Sequence, residues 1–195
     1  MTLNELGTDL VPALGFLELS SISRGLFLTD VVLKKAPIRV IASQPVSSGK
    51  HVLLFIGDVA SVQESHEAAL AGADGTVLKQ ILIPGVHPQL APFLDSIWSQ
   101  LPTRHAVGEA VGIVESQTLA GAILAADTAL KSAEVSLCRM RLGQGIGGKA
   151  FFVLTGRQDD VEAALAAAKN TLTQVESFVR TDIIPRPDEE ALAYL

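Results

Sequence analysis

The sequence predicts an α+β protein, an α/β sandwich made of two tandem ferredoxin-like β-α-β-β-α-β domains. Three observations predict it: the chain repeats itself, apolar periodicity alternates between strand and helix in the same order in both copies, and a turn-rich loop in each copy leads into a strand. At an offset of 97, Gly15, Glu18, Asp30, Leu33, Lys34 and Ala36 match Gly112, Glu115, Asp127, Leu130, Lys131 and Ala133. At 99, Gly49, Lys50, Gly57 and Val62 match Gly148, Lys149, Gly156 and Val161, and at 101 the Ile-Pro of "LIPGVH" meets that of "IIPRPD". The repeat divides the chain into an N-terminal extension over 1–13, a first domain over 14–92, a linker over 93–109 and a second domain with a C-terminal tail over 110–195.

Each element follows in order. "ALGFLEL" and "AVGIVES" have the apolar, β-branched character of buried first strands. "SISRGLFLTDVVLKKA" and "QTLAGAILAADTALKSA" space apolar residues by three and four behind capping residues, which predicts helices. "IRVIAS" and "VSLCRMRL" read as second strands, and "KHVLLFIG" and "KAFFVLTG" as third strands. "VASVQESHEAALAGA" and "QDDVEAALAAAKNTL" read as second helices, and a last short strand precedes each Ile-Pro. Helices on one face of an antiparallel sheet leave the other face to solvent or a partner.

Composition narrows the function. Net charge is -6, from 21 acidic and 15 basic residues without a long basic run, which argues against a nucleic-acid partner. Hydrophobic residues make up 48% and charged ones 18%, with a mean hydropathy of +0.37. No apolar run approaches the roughly 18 residues that a bilayer requires, so no membrane partner is expected. The N-terminus has no secretory pattern, and the single cysteine, Cys138, suits a reducing compartment, so a cytoplasmic location is expected. Burial in subunit interfaces reconciles this apolarity with solubility.

"GQGIGGK", Gly143 to Lys149, fits the spacing of a dinucleotide loop and most of a P-loop. Both motifs require a helix to begin after the glycines, whereas "AFFVLTG" reads as a strand. Ala150 stands where a P-loop needs Ser or Thr, and the equivalent first-copy loop, "QPVSSGK", keeps only Gly49 and Lys50. The loop is read as a hairpin, with or without a function of its own. His51, His66, His87 and His105 are not at metal-ligand spacing and read as surface or packing residues. Glu18 and Glu115 could act as acid and base, but duplication explains the pair and a structural hydrogen-bonding role is favoured.

These residues resemble the bacterial microcompartment (BMC) shell domain. "GFLELSSISRGLFLTDVVLKKAPIRV" and "GIVESQTLAGAILAADTALKSAEVSL" are similar to its Gly-x-x-Glu strand and the helix ending Asp-x-x-Leu-Lys-x-Ala. "GKHVLLFIGDVASV" is similar to its third strand and Gly-Asp-Val turn, and "IIPRPD" to its Ile-Pro-Arg-Pro-His ending. Two unpermuted copies resemble the tandem, trimeric (BMC-T) class. The resemblance implies a non-enzymatic shell protein, cytoplasmic and located in a microcompartment shell. It would form a homotrimeric pseudohexamer that tiles with shell hexamers and pentamers and passes small metabolites through a central pore.

By the same correspondence, Pro45, Val46, Ser47, Ser48 and Gly49 and then Gly145, Ile146, Gly147 and Gly148 would alternate around that pore. Glycines there allow close approach and unusual backbone angles; backbone N–H groups and the two serine hydroxyls suit polar or anionic metabolites. Lys34, Lys131 and Arg186 match edge-contact positions, while Gly85 replaces the arginine in the first copy. One branch of the class holds an iron-sulfur cluster through a cysteine whose position here is Ser47, so no cofactor is expected. Two rival readings are a ferredoxin-like regulatory or small-molecule-binding oligomer and a redox conduit with a pore-bound iron-sulfur cluster.

Overall fold

The computed structural model describes residues 12–90, 93–94, 108–143, 145–192 and 194. The expected N-terminal extension before residue 12, most of the 93–109 linker with His105, and Gln144 of the glycine loop lie outside the described residues. The chain forms two units, Met1–Pro88 and Gln89–Leu195.

In the first unit the order is β1 (Ala13–Leu19), α1 (Ile22–Lys35), β2 (Arg39–Val46), β3 (Lys50–Gly57), α2 (Val59–Gly72) and β4 (Val77–Ile83). In the second it is β5 (Ala110–Ser116), α3 (Leu119–Ser132), β6 (Val135–Leu142), β7 (Ala150–Gly156), α4 (Gln158–Gln174) and β8 (Phe178–Pro185), followed by the short α5 (Glu189–Leu192). Both sheets are antiparallel, ordered β2-β3-β1-β4 and β6-β7-β5-β8, so the first and third strands of each unit are central. This is the ferredoxin-like β-α-β-β-α-β order in duplicate.

Duplication extends to irregularities. β2 bulges at Ile41, between Val40 and Ala42, and β6 bulges at its counterpart Cys138, between Leu137 and Arg139. Helix starts are also repeated: Ser21 accepts the Arg24 N–H at 3.2 Å, and Thr118 accepts the Gly121 N–H at 3.1 Å. The second helices have diverged. Asp58 caps α2 through the Ser61 N–H at 3.0 Å, whereas its counterpart Arg157 makes no side-chain cap and Asp159 and Asp160 place negative charge in the first turn of α4 instead.

Period-2 alternation assigns the faces of the central strands. Ala13, Leu17 and Leu19 of β1 and Leu53 and Phe55 of β3 pack with Leu28 and Val32 of α1 and Val62 and Ala69 of α2. Each such buried side chain contributes about 1.5–3 kcal/mol of hydrophobic stabilisation. Glycine admits the packing at two points: a Cβ at Gly15 would lie 2.5 Å from the Phe55 ring, and one at Gly25 would lie 2.1 Å from the His51 ring. The opposite face of these strands carries Leu14, Phe16 and Glu18, and Lys50, Val52, Leu54 and Ile56.

Candidate functional site

Each unit ends its second strand in a hairpin whose tip holds residues singled out in the sequence. β2 runs further than "IRVIAS" suggests: Pro45 and Val46 belong to the strand and pair with His51 and Lys50. Proline is tolerated because β2 is an edge strand. Val46 is buried, so Ser48 and Gly49 form the exposed tip. Ser47–Gly49 is a 3-10 turn with positive φ at Ser48 (69°) and Gly49 (70°). A serine in the left-handed region is strained by roughly 1 kcal/mol.

The second tip reverses by a different route. Gly143, Gly145, Gly147 and Gly148 have φ of 74°, 68°, 67° and 78°, and the turn closes with the Gly143 N–H on the Lys149 carbonyl at 2.9 Å and the Lys149 N–H on the Ile146 carbonyl at 3.2 Å. A Cβ at Gly147 would meet nothing within 4 Å. Within one chain, backbone angle is therefore what calls for glycine at that position, and close approach is not. Gly145 and Gly147 are exposed, Ile146 is half-buried and Gly148 is buried. A strand, β7, follows the loop, so no helix N-terminus faces the glycines and the nucleotide-cradle geometry is absent.

At the base of the hairpins the repeated Glu and Lys behave differently. Lys50 Nζ donates to Glu18 Oε1 at 2.6 Å; Glu18 is fully buried, and its Oε2 has no hydrogen-bond partner. In the second unit Glu115 is half-buried and Lys149 exposed. These two line an open groove with Ile113, Ile146, Ala150 and Phe151.

His51 follows Lys50 but points to the helix side, where it is fully buried. Its Nε2 lies 3.0 Å from Ser43 Oγ, Ser43 lies 2.6 Å from Thr29 Oγ1, and Thr29 donates to the Gly25 carbonyl at 2.9 Å. Since Thr29 spends its proton on Gly25, Ser43 donates to Thr29 and accepts from His51 Nε2–H, which places a proton on Nε2. His66 donates from Nε2 to Gln80 Oε1 and tilts against Phe55. Burial pushes both imidazoles below their ordinary range. Neither histidine Nδ1 has a hydrogen-bond partner. These are packing groups, and sequence reasoning missed the Thr29–Ser43–His51 chain because nothing in the spacing links three separate elements.

Lys34 and Lys131 sit at equivalent positions in the last turns of α1 and α3 and reach back to Asp30 and Asp127, each at 2.6 Å. Arg186 is exposed with φ of 48°, its N–H held by the Glu109 carbonyl at 2.9 Å. All three present charge at the surface.

The residues do not fit a thiolate-held iron-sulfur cluster. Ser47 offers a hydroxyl at the matching position, and Cys138 lies on β6, where burial pushes its thiol up to about 11, so it is protonated at neutral pH. Among the described residues no three His, Cys, Asp or Glu side chains converge as metal ligands, and no helix is long and apolar enough to cross a membrane.

Comparison with known proteins adds independent findings. A family model of the BMC domain matches residues 13–86 and 110–187. The bacterial microcompartment shell protein PduT of Citrobacter freundii is 33% identical over 177 residues, which cover 91% of this chain and 94% of that protein. A crystal structure of a microcompartment protein from Desulfitobacterium hafniense DCB aligns over 94% of this chain and 99% of its own, with 35% identity and a TM-score of 0.84. A fused permuted hexameric shell protein from the RMM microcompartment aligns over 85% of each chain, with 26% identity and a TM-score of 0.61.

Proposed function

From the premise that this chain belongs to the BMC-domain shell proteins of bacterial microcompartments, with two such domains in tandem, we propose that three copies form a flat pseudohexamer with the six hairpin tips around its centre. The chain is a structural shell protein and assembles with other shell proteins. In the proposed ring the Ser48–Gly49 tips alternate with the Gly145–Gly148 tips and border a pore for small metabolites.

The observation that supports this reading is the pair of tips itself. Two unlike loops occupy the same place in two copies of one fold, and both spend positive-φ residues on a tight reversal. Exposed backbone N–H groups and the Ser47 and Ser48 hydroxyls offer hydrogen bonds to polar or anionic solutes. No catalytic constellation is proposed: the two buried histidines are committed to packing, and Glu18 is bonded to Lys50. Lys34, Lys131 and Arg186 are proposed as contacts along the tile edge with hexameric and pentameric shell proteins.

Light scattering and negative-stain microscopy of purified protein test the reading. Trimers that form sheets or join shells are the expected result; a chain that stays monomeric and never co-assembles refutes it. For the pore, Ser48→Trp and Gly147→Trp should slow solute entry into assembled shells while trimers persist, and unchanged entry removes these tips from the route.

A further inference from the structure

We propose that the first hairpin is an acid-responsive latch: a proton taken up by His51 Nδ1 drives the imidazole out of the helix–sheet layer and releases the Ser47–Gly49 tip, while the second tip stays shut. The device lies wholly within the first unit. On the pore reading above it would put a pH-sensitive tip at every second position around the axis, and that consequence alone rests on the trimer.

The second unit serves as the reference. Gly25, Thr29, Ser43 and His51 stand where it has Ala122, Ala126, Met140 and Ala150. Those four are buried and none has a hydrogen-bonding hydroxyl or imidazole. One fold is thus built with an apolar set in one copy and a titratable set in the other, so packing alone does not call for the histidine. Size is exchanged along with polarity, since a glycine and a histidine replace two alanines.

The geometry shows what a proton would do. His51 gives its Nε2–H to Ser43 at 3.0 Å, so Nδ1 is the atom left to accept a second proton. That nitrogen is buried and has no hydrogen-bond partner among the described residues. The ring lies so close to α1 that a Cβ on Gly25 would come within 2.1 Å of it, which leaves no room for a water between them. A charged ring in this place would carry an unbonded donor and no counter-ion, and leaving the layer relieves both. Burial already holds the imidazole below its ordinary range.

The charged groups nearby are engaged elsewhere. On α1, Arg24 beside Gly25 reaches Asp74 at 3.1 Å and stacks on Phe27, and Asp30 beside Thr29 is bonded to Lys34. β2 presents Ser43 and no titratable group from Ile41 to Val46. On β1, Leu19 lies opposite His51, while Glu18 is on the other face with Lys50 of β3. On α2, His66 packs against Phe55, two same-face positions further along β3.

The tip depends on this anchor. Beyond the Pro45–His51 pair only the Val46–Lys50 pair of the ladder remains, and Pro45 has no N–H to give. Ser48 adds left-handed strain to the reversal. His51 is therefore the last side chain that ties the hairpin end to α1, and its departure leaves the Lys50–Glu18 bond as the restraint on the opposite face. In the open tip the imidazole regains a pKa of about 6.5. Opening then becomes up to about tenfold more favourable for each pH unit below that value, and levels off once the closed form is protonated too.

Hydrogen exchange of the full chain at pH 7.5 and pH 5.5, corrected for the intrinsic pH dependence of exchange, tests the latch. The amides of Ser48 to His51 should exchange up to about tenfold faster at the lower pH, while those of Gly145 to Lys149 keep their protection. His51→Gln, which can still donate to Ser43 but cannot ionise, should abolish the difference. Should that variant fail to fold, Gly25→Ala, Thr29→Ala, Ser43→Met and His51→Ala together install the residues of the second unit and should do the same. A first tip that keeps pace with the second, or a pH response that survives these substitutions, overturns the proposal. So does a rise shared equally by the amides of β1 and α1, which would mark unfolding of the whole unit. All these results are read within one chain, so none depends on whether copies form a ring.

Discussion

Lys50→Met isolates the ion pair at the base of the first hairpin. The change keeps the length of the side chain and removes its charge, leaving the fully buried Glu18 carboxylate with neither oxygen bonded. At an effective dielectric of 20, two unit charges 4 Å apart attract by about 4 kcal/mol. Breaking a buried pair by deleting one partner costs about 3–5 kcal/mol. Two features place this pair at the lower end: the Lys50 side chain keeps a quarter of its exposure, and Glu18 accepts only one bond. A loss of about 3 kcal/mol is expected, read as a lower urea midpoint at unchanged slope. Lys149→Met should cost less than about 0.5 kcal/mol, because Lys149 is exposed. Glu18→Gln combined with Lys50→Met should recover much of the loss, since a buried neutral amide is cheaper than an unpaired carboxylate. A Lys50→Met chain within 0.5 kcal/mol of wild type, or a double variant no better than Lys50→Met, refutes the reasoning.

Four further outcomes are expected. The melting temperature should fall as pH drops below about 6.5, because unfolded histidines gain protons there that buried His51 and His66 resist; the penalty is absent above that pH and levels off below the lowered folded values. His51→Gln should flatten part of this slope, and an unchanged pH profile counts against a buried neutral His51. Gly25→Ala should destabilise by more than about 2 kcal/mol in chemical denaturation, because the new methyl lies 2.1 Å from the His51 ring, whereas Ser48→Gly should be neutral or slightly stabilising as left-handed strain is relieved at some cost in chain entropy. Cys138, with its thiol pushed up to about 11, should react with a thiol probe at pH 8 far more slowly in the folded chain than in urea; equal rates would contradict its burial.

The order of elements was legible because each strand and helix is short, strongly patterned and present twice. A weak reading of "ALGFLEL" as strand gains support from "AVGIVES" at the same place in the second copy. The strand after "GQGIGGK" was legible from Phe151, Phe152 and Val153, and it decided against a nucleotide cradle. The extension of β2 through Pro45 and Val46 was hidden, since proline argues against a strand unless the strand is known to be an edge. The left-handed Ser48 was hidden too, because side-chain identity at that tip favours no positive φ. His51 looked like a surface or packing residue at a strand start, and only the fold brings Ser43 and Thr29 to it.

What periodicity could not distinguish is which apolar face has a partner. Leu26 and Ile123 occupy the same position of the same helix pattern, yet one is exposed and the other buried. The pattern records only that a position tolerates burial; the identity of the covering surface is a property of the assembled fold. Duplication turns that ambiguity into information, because the covered copy serves as an internal reference for the bare one. An exposed leucine taken alone means little. Ile22, Leu26 and Leu33, exposed where Leu119, Ile123 and Leu130 are buried, carry meaning as a set. The same place in the two copies tolerates unlike tips because each reverses the chain by its own positive-φ residues: Ser48 and Gly49 in one, four glycines in the other.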